Sequence, residues 1–456
     1  MRTALFVPYP LHSHTNSIFG MANILQNHGY NVVVASLGNL RLSVQSQGFR
    51  FHSLTTVAFG MGVEIHLANL KKSREPYLDS LLYRVSNKLY HERAKELTDL
   101  LRAVKPDVIL LDSFLSTDFV ILYPWLKQHG TKCFFVQTML STRLNLLAPP
   151  LFSGLLPTNR KNVEKSWKTW QRQKAWLRVR DCFKYLGKDD LSLIRKALKT
   201  NKVPDTFTLD VNRLFHVGFS NVPELILAPL ELEFSADAMH PDLHYVGSLL
   251  TTQREETQSN PDCMGLLEKI VANNGDRKTI YCSFGTLYTH ETASSFVVPF
   301  LQRLVAVVAA NPNYQLILSL QSSYWPSIGP FPSNVHVFNH VPQLQLLPLC
   351  DLFVTQGGLN SVKEGIHFEV PMYVCPPNIN DQAGNAARAE FYQLGVQGSL
   401  VADSEFVIAH KIADLLSNPV YKKSLRNFNR DVKEKYSDEN FLSKFEHLLR
   451  DSGNIS

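Results

Sequence analysis

The sequence predicts an α/β protein made of two doubly wound domains, each with a parallel sheet covered by helices. Short apolar runs alternate with longer segments of helical periodicity, which is the pattern of parallel strands joined by crossover helices. The pattern occurs twice along the 456 residues. A chain of this length also exceeds the size at which one hydrophobic core usually stops growing, about 250–300 residues.

The first half of the chain is predicted to form one domain, residues 1–248. Its strands are predicted at four apolar runs, namely residues 4–7, 32–35, 108–111 and 134–136. Two stretches lie outside the alternation: residues 60–96 predict a helical excursion, and residues 143–200 form a long insertion rich in Trp, Lys and Arg. Insertions at strand ends usually shape a substrate pocket, so we expect these segments to do so.

The second half repeats the pattern and predicts a second domain, residues 262–435. Its predicted strands are residues 279–283, 315–319, 335–338, 352–355 and 372–375. Residues 249–261 are polar and lack periodicity, which predicts a linker, and residues 436–456 are predicted to be a helix that packs back on the first domain. Ligands of such folds bind in the cleft where the carboxyl ends of the two sheets face each other.

Composition excludes several classes of protein. The chain has 46 Lys and Arg against 40 Asp and Glu, and a net charge of +6 is too small for a general nucleic-acid binder. The six cysteines form no C-x-x-C pair, and Pro8 and Pro10 end the apolar opening before a signal-peptide core is complete. We also find no run of about 18 apolar residues. The expectation is a cytoplasmic monomer with reduced thiols and no transmembrane segment.

The most informative motif is a strand that runs into two glycines and a helix start. Residues 353–365 read FVTQGGLNSVKEG. This turn exposes backbone N–H groups and a helix dipole to an anion, and Asn360 and Ser361 add side-chain donors, so a diphosphate site is predicted. An ordinary strand-to-helix turn explains the Gly-Gly-x-Asn-Ser part alone, but it does not explain the Val370-Pro371 and Asp381-Gln382 that follow.

Taken together, these motifs resemble the family 1 UDP-dependent glycosyltransferases, which have the GT-B fold and act on small molecules and natural products. The match begins at Val341-Pro342-Gln343, continues through the glycine motif and ends at Asp381-Gln382. The resemblance implies an inverting transfer of a sugar from UDP to a hydroxyl of a lipophilic small molecule. Relatives whose motif ends in Asp-Gln commonly use UDP-glucose, so glucose is the expected sugar.

The resemblance also implies a role for each donor-binding residue. Gln343 would bind the uracil, Asn360 and Ser361 the phosphates, Glu364 the ribose hydroxyls, and Asp381 and Gln382 the sugar hydroxyls. The other expected donor residues are Ser283, Gly285, Thr286, His340, Val341, Gln356, Gly357, Gly358 and, from the opposite domain, Thr138.

Two residues depart from the family pattern. His340 stands where most relatives have an aromatic residue, commonly Trp, that stacks on the base, and Gln356 stands where they have His. An imidazole still stacks and a Gln still donates one hydrogen bond, but Gln cannot carry a positive charge toward a phosphate. These departures concern donor affinity and nucleotide preference rather than the fold.

Catalysis with inversion needs a base for the acceptor proton and stabilisation of the leaving group. The loop after the first strand delivers His14 to the start of the next helix, and the Gly-His segment of the family aligns with His14 rather than His12. Asp112 ends the strand 108–111, where the family places its dyad carboxylate, and Asp118 is the alternative. The sequence has no Asp-x-Asp and no zinc-site spacing, so neither a metal nor another cofactor is expected.

Residues 160–184 hold nine Lys and Arg against Glu164 and Asp181, with three Trp interleaved. One interpretation is an amphipathic helix that contacts an anionic membrane surface or leads lipophilic acceptors to the pocket. The other is a surface helix whose stripe of Val163, Trp167, Trp170 and Leu177 packs on the domain while its basic residues are solvated.

Other functions remain to be weighed against glycosyl transfer. A Rossmann dehydrogenase is disfavoured, because the first strand is followed by Leu-His-Ser-His where a glycine-rich turn would be required. A UDP-sugar 2-epimerase shares the GT-B architecture, and a non-catalytic UDP-sugar-binding protein is conceivable given His340 and Gln356. Both stay open at the level of the sequence.

Overall fold

The structure, a computed structural model, describes residues 1–235, 240–251, 261–272, 277–285, 291–377 and 380–451. Its strands are β1 (Thr3–Val7), β2 (Asn31–Leu37), β3 (Arg50–Leu54), β4 (Val108–Asp112), β5 (Lys132–Gln137), β6 (Leu209–Asp210), β7 (Gly218–Phe219), β8 (Glu224–Ile226), β9 (Leu243–Tyr245), β10 (Lys278–Ser283), β11 (Tyr314–Ser319), β12 (Val335–Phe338), β13 (Leu352–Thr355), β14 (Met372–Val374) and β15 (Gly395–Gln397).

The helices cover both faces of the sheets. They are α1 (His12–Asn27), α2 (Arg41–Gln45), α3 (Glu64–Leu70), α4 (Pro76–Val85), α5 (Lys88–Val104), α6 (Asp118–His129), α7 (Arg160–Lys184), α8 (Asp190–Thr200), α9 (Pro261–Ala272), α10 (Glu291–Ala309), α11 (Trp325–Ile328), α12 (Gln343–Leu346), α13 (Leu359–His367), α14 (Gln382–Phe391), α15 (Glu405–Ser417), α16 (Pro419–Lys435) and α17 (Asp438–Asp451).

The amino-terminal sheet is parallel and contains seven of the described strands, in the order β3-β2-β1-β4-β5-β8-β9. Every residue of β1 and β4 is buried, which fits their apolar composition because a parallel sheet is covered by helices on both faces. The strand order reverses between β1 and β4. Their carboxyl ends therefore open a crevice at this switch point.

The carboxy-terminal sheet is also parallel, and its described strands follow the order β12-β11-β10-β13-β14-β15. The reversal falls between β10 and β13, where Ser283 pairs with Thr355 at the last position of each strand. The loops after these two strands are thus side by side, and they carry the Ser-Phe-Gly and Gln-Gly-Gly motifs. The two predicted α/β domains are confirmed by this pair of sheets.

The last helix returns to the first domain. In α17, Phe441 and Phe445 are buried among side chains of β1, β2 and α1. Glu446 accepts hydrogen bonds from Arg2 at 2.8 Å and from the hydroxyl of Tyr30 at 2.5 Å. The segment before it, α16, packs on α13 of the second domain. The chain therefore crosses between the domains twice, once between β9 and α9, where residues 252–260 of the predicted linker lie outside the described residues, and once before α17.

The two stretches outside the alternation are helical. Residues 60–96 contain α3, α4 and the first half of α5, which is the crossover into β4, and the insertion 143–200 contains α7 and α8. None of the helices in the described part of the chain is long and apolar enough to cross a membrane.

The stripe predicted along α7 is only partly correct. Val163 and Trp167 are each 1% exposed, but Leu177 is 40% exposed. The reason lies in the second half of the helix, where Lys174 and Arg178 face the domain and donate hydrogen bonds to backbone carbonyls at residues 213 and 211. Basic side chains, rather than Leu177, occupy the inner face there.

Candidate functional site

His14 and Asp112 meet at the switch point of the amino-terminal sheet. β1 ends at Val7, and α1 begins at His12, so His14 lies in the first turn of the helix that follows. Asp112 is the last residue of the neighbouring β4. The distance between His14 Nδ1 and Asp112 Oδ2 is 2.9 Å, and both side chains are buried.

The carboxylate of Asp112 is held by backbone amides. Its two oxygens accept hydrogen bonds from the N–H groups of Tyr9 at 3.1 Å and Phe114 at 2.9 Å. The rings of the same two residues flank the imidazole of His14, with centroids 5.3 and 5.2 Å away. This surrounding fixes the ring and the carboxylate in one relative orientation.

The arrangement sets the tautomer of His14. An ionised carboxylate only accepts hydrogen bonds, so Nδ1 carries the proton and Nε2 carries the lone pair. Thr138 Oγ1, at the end of β5, lies 3.0 Å from the same Nδ1. Among the described residues none forms a hydrogen bond with Nε2. Chemically, this imidazole is prepared to accept a proton at Nε2 while Asp112 stabilises the resulting charge.

Asp118, the alternative carboxylate, is bound elsewhere. It is fully buried at the start of α6 and accepts a hydrogen bond from Arg93 Nη2 at 2.6 Å. A second guanidinium N–H, Nε, reaches the same carboxylate at 3.1 Å. Asp118 is therefore part of an ion pair between α5 and α6 and not the partner of His14.

The glycine motif forms a tight turn after β13. Gly357 has a φ of +86°, and a Cβ on it would lie 2.6 Å from Val374 Cγ1. Gly285 has a φ of +62°, and a Cβ there would lie 2.7 Å from Gln356 Nε2. Gly358 is the N-cap of α13, so the first N–H groups of this helix point into the turn. The turn thus presents backbone N–H groups, and binding of a diphosphate there stays a prediction.

Asn385 joins the glycine turn to the Asp-Gln motif. Its Nδ2 donates to the carbonyl oxygen of Gly357 and to Asp381 Oδ2, both at 2.9 Å. Burial raises the pKa of Asp381, and the hydrogen bond from Asn385 opposes that shift.

Three buried amide oxygens surround this turn without a protein partner among the described residues. They belong to Gln356, Gln382 and Asn385. Buried polar atoms are nearly always hydrogen-bonded in native proteins, so unpaired ones mark places where a ligand or water completes the structure. The oxygens of Gln382 and Asn385 are suited to accept hydrogen bonds from sugar hydroxyls.

The residues predicted to bind the uracil and the ribose, Gln343 and Glu364, form a hydrogen bond with each other. Gln343 Nε2 donates to Glu364 Oε2, and Gln343 Oε1 accepts from the hydroxyl of Tyr281 at 3.1 Å. The ring of Tyr281 stacks on Phe353 with centroids 5.1 Å apart. Gln343 and Glu364, 21 residues apart in sequence, are thus brought together at one edge of the second sheet.

The predicted phosphate-binding Asn360 reaches across the cleft. Its Nδ2 donates to the carbonyl oxygen of Ser13 at 3.0 Å and to Ser17 Oγ at 2.8 Å. The amino ends of α1 and α13 therefore meet. Two helix N-termini that converge on one place concentrate positive potential there, which suits a diphosphate.

The remaining predicted site residues are distributed around the turn. Ser283 Oγ accepts from the N–H of Gly285 at 3.4 Å, Ser361 lies half-buried in the first turn of α13, Val341 is buried, and His340 is exposed. Thr286 lies outside the described residues. Within the described ranges, no group of three His, Cys, Asp or Glu side chains is arranged to hold a metal ion.

Sequence reasoning did not single out four residues that the structure places at the site. Tyr281 orients Gln343, Phe114 packs on His14, and Ser13 and Ser17 bind Asn360. Phe114 follows the carboxyl end of β4, and Tyr281 lies near the carboxyl end of β10. Their positions near strand ends could have indicated both from the sequence. The two serines had no signal, because their role depends on how the domains approach each other.

Comparison with known proteins identifies the family of this chain. A family model described as UDP-glucoronosyl and UDP-glucosyl transferase matches residues 204–435, more than half of the chain. The uncharacterised UDP-glucosyltransferase YdhE of Bacillus subtilis is 28% identical over 175 residues, which cover 38% of this chain and 42% of that protein. Human UDP-glucuronosyltransferase 3A1 is 24% identical over 444 residues, covering 91% of this chain and 77% of the human protein.

Among solved structures, the glycotransferase of kitacinnamycin superposes with a TM-score of 0.68 at 20% identity, covering 98% of both chains. The fold is thus that of the GT-B glycosyltransferases, as predicted. The chain belongs to the UDP-glucoronosyl and UDP-glucosyl transferase family. The predicted enzyme class, a UDP-glycosyltransferase, is confirmed.

Proposed function

We propose that this enzyme transfers glucose, with inversion, from UDP-glucose to a hydroxyl of a lipophilic small molecule, with His14 as the base and Asp112 as its partner. The observation that carries the proposal is the 2.9 Å contact between His14 Nδ1 and Asp112 Oδ2, which leaves Nε2 as the basic atom. A hydroxyl has to lose its proton as it attacks, and a histidine oriented by a buried carboxylate supplies that step.

The chemical step follows from this geometry. Nε2 of His14 accepts the proton of the acceptor hydroxyl while the hydroxyl oxygen forms a bond to the anomeric carbon of the sugar. The bond from that carbon to the UDP oxygen breaks on the opposite face, and UDP leaves with the electron pair. The imidazolium that results is stabilised by Asp112, which two amide hydrogen bonds hold in place beside the ring.

Stabilisation of UDP is assigned to the glycine turn and α13. Gly357 adopts a positive φ in the turn after β13, and the first N–H groups of α13 follow this turn directly. Donors that are fixed before reaction stabilise developing charge with little reorganisation. The chain can thus neutralise a diphosphate with its own groups, and we propose that it uses no metal.

The choice of a neutral hexose rests on the surroundings of Asp381. This carboxylate is buried, as is Gln382, and the nearby Arg388 is engaged by Glu233 at 3.0 Å and by the carbonyl oxygen of Leu232 at 2.9 Å. A carboxylate on the sugar would lie against the carboxylate of Asp381, and the neighbouring Arg388 is already paired with Glu233. Hydroxyls, in contrast, can donate to Asp381 and to the unpaired oxygen of Gln382.

The amino-terminal side of the cleft has a mostly apolar lining next to the base. A cavity of about 70 Å³ begins at Tyr9, whose ring lies 5.3 Å from that of His14. Most of the residues that line it are apolar, among them Leu37, Leu54, Val57, Ala58, Met61, Val63 and Leu115. An apolar wall beside the base favours an acceptor that buries a hydrophobic group next to its reactive hydroxyl.

The test is an activity assay with chemically distinct products. The protein is incubated with UDP-glucose and a panel of phenols and hydroxylated terpenoids, with and without EDTA, and the products are scored as glycoside, free UDP or epimerised sugar. We expect an inverted glycoside and no loss with EDTA. Epimerised sugar without glycoside, or binding of UDP without turnover, would favour the two alternatives. Initial rates with UDP-galactose, UDP-N-acetylglucosamine, UDP-xylose and UDP-glucuronic acid test the sugar, and a rate about tenfold above that of UDP-glucose contradicts glucose.

A further inference from the structure

An exposed apolar face lies on the amino-terminal domain, formed by two helices outside the doubly wound core. We call it the outer face and define it by Leu78, Leu82 and Val85 of α4 together with Trp176, Val179 and Phe183 of α7. Leu82, Trp176 and Phe183 are 64%, 63% and 79% exposed. A cluster of large apolar side chains held in solvent is uncommon on a protein that has no partner for it.

The α4 half of the face is fixed by buried polar contacts behind it. Arg84 and Ser80, on the opposite side of the helix, are buried. Arg84 bonds to Glu64 at 2.6 Å and to Asp190 at 2.9 Å, and its guanidinium lies 4.0 Å from the ring centre of Tyr185. Rotation of α4 that buried its leucines would unpair these charges, which is expensive in a protein interior. The leucines are therefore held outward.

The α7 half is fixed in the same way. Val163 and Trp167 face the domain, and Lys174 and Arg178 continue that inner side with hydrogen bonds to backbone carbonyls. Trp176, Val179 and Phe183 recur on the opposite side of the helix, one turn apart. The two helices contact each other at one end, where the hydroxyl of Tyr77 in α4 donates to the carbonyl oxygen of Lys184 at the end of α7.

Basic side chains surround the outer face. Those exposed on the segments that carry it are Lys71, Lys72, Arg74, Lys88, Arg172, Arg180, Lys184 and Lys188. Carboxylates that are at least partly exposed on the same segments are fewer, namely Glu75, Asp79, Glu92, Asp181, Asp189 and Asp190. The surroundings therefore carry net positive charge next to the apolar side chains.

We propose that the outer face docks this enzyme on an anionic lipid surface. Aromatic and aliphatic side chains insert at the boundary of headgroups and acyl chains, and Lys and Arg bind the anionic headgroups. Two copies of this chain are a poorer match, because their basic margins would face each other in a dimer through this face. The inference goes beyond the proposed function and does not depend on it.

The position of the face gives docking a purpose. The loop between β3 and α3 lines the cavity beside Tyr9 through Val57, Ala58 and Met61, and it leads directly into α3 and α4. Gly60 of this loop packs on α8, where a Cβ would lie 2.7 Å from Ile194. A lipid-dissolved acceptor would therefore reach the cavity past α3 and this loop.

The experiment measures co-sedimentation of the full chain with vesicles of phosphatidylcholine alone or mixed with phosphatidylserine. We expect binding to the mixed vesicles, weakened at least about tenfold by the pair Leu82→Ser and Phe183→Ser. The matched control is Phe406→Ser, since Phe406 is 82% exposed on α15 of the other domain. Trp176 is the only exposed residue among the five tryptophans, all of them described, so quenching of its fluorescence by brominated lipid reports insertion of this face.

A charge variant separates headgroup binding from a general hydrophobic effect. The pair Arg180→Glu and Lys184→Glu is expected to lower the affinity for the mixed vesicles about tenfold or more. The control pair, Arg430→Glu and Lys423→Glu on α16, is closely matched, because Arg180 and Arg430 each bond the aspartate that follows them, at 2.7 and 3.1 Å.

Each variant is first checked for retained UDP binding and circular dichroism. Absence of binding by the parent chain, equal binding of the test and control variants, or a dimer that Phe183→Ser dissociates would overturn the proposal.

Discussion

The ammonium group of Lys363, on α13, donates a hydrogen bond of 2.8 Å to the carbonyl oxygen of Leu227 at the end of β8 in the other domain. It also lies 3.4 Å from the carbonyl oxygen of Ser248. Burial lowers the pKa of Lys363 to about 8. A buried cation thus connects the second domain to two backbone acceptors of the first.

The first prediction is a pH dependence of stability that Lys363 carries. Between its folded pKa of about 8 and the ordinary lysine value of about 10.4, the unfolded chain binds more protons than the folded one. The free energy of unfolding therefore rises with pH through this window. Below it, the buried positive charge of Lys363 lowers the free energy of unfolding. The measurement is the free energy of unfolding of the parent chain minus that of Lys363→Met at several pH values, which cancels Lys174 and other groups. A difference that stays flat from pH 8 to 10 contradicts the shift.

The second prediction concerns the base. His14→Ala is expected to lower kcat about 100-fold to 10,000-fold, because a general base supplies a factor of that size, while the Kd for UDP changes little. His12→Ala is the control, since His12 is exposed and lies in the same helical turn. Steady-state rates and calorimetric titration with UDP give the two quantities. An active His14→Ala enzyme would exclude this mechanism.

The third prediction separates two buried aspartates. Asp112→Asn is expected to reduce turnover about 100-fold or more at nearly unchanged stability, since the amide can replace some of the hydrogen bonds but not the charge. Asp118→Asn removes the buried carboxylate that bonds Arg93 and leaves it with Glu96 at 3.6 Å, so we expect the free energy of unfolding to fall by about 1.5–3 kcal/mol. Denaturant unfolding and kcat are measured for both. The reverse pattern would make Asp118 the functional carboxylate.

The fourth prediction compares two glycines. Gly357→Ala combines a φ of +86° with a 2.6 Å approach to Val374, so we expect a loss of about 1–3 kcal/mol in stability and weaker UDP binding. Gly265→Ala, in α9 with open space around its Cβ, is expected to be neutral or to stabilise by up to about 1 kcal/mol. Thermal unfolding and UDP titration decide. Equal effects at both positions would show that the turn does not require glycine at position 357.

The fifth prediction concerns Gln356, which stands where most relatives have His. Its Nε2 lies above Gly285, and its Oε1 is buried without a partner in the described part of the chain. Gln356→His is expected to bind UDP about threefold to tenfold more tightly at pH 6 than at pH 8, because an imidazolium attracts the diphosphate. The parent chain should show a smaller change over the same range. An identical pH profile for both would mean that this side chain does not face the phosphates.

The fold was accessible from the sequence because its strands are short apolar runs buried on both faces. All nine predicted strands are present, with ends within a few residues of the prediction. The strands β3, β6, β7, β8, β9 and β15 were missed. They are short or, in β3, only half-buried, so neither alternation nor a continuous apolar run distinguishes them from loops.

The site was predictable where it follows strand ends and less so where it depends on the other domain. His14 and Asp112 were selected because neighbouring parallel strands bring their carboxyl ends together, and they lie within hydrogen-bond distance. The exposure of Leu177 on α7 was not predicted, and neither were the hydrogen bonds of Asn360 to Ser13 and Ser17. These depend on packing between segments distant in sequence, which periodicity does not encode. The donor and acceptor roles, the domain boundaries, the monomeric state and the compartment stay predictions.

With the proposed role of Asn360 in phosphate binding, its bonds to α1 would compete with the donor for the same amide. A diphosphate that takes the amide of Asn360 displaces two hydrogen bonds that connect the domains and offers its own oxygens to both helix ends instead. Binding is then a replacement of one bridge by another, and the measured affinity is the difference between the two. The separation of the domains and the occupancy of the cleft become a single equilibrium, in which UDP departs most readily when the amide of Asn360 returns to α1.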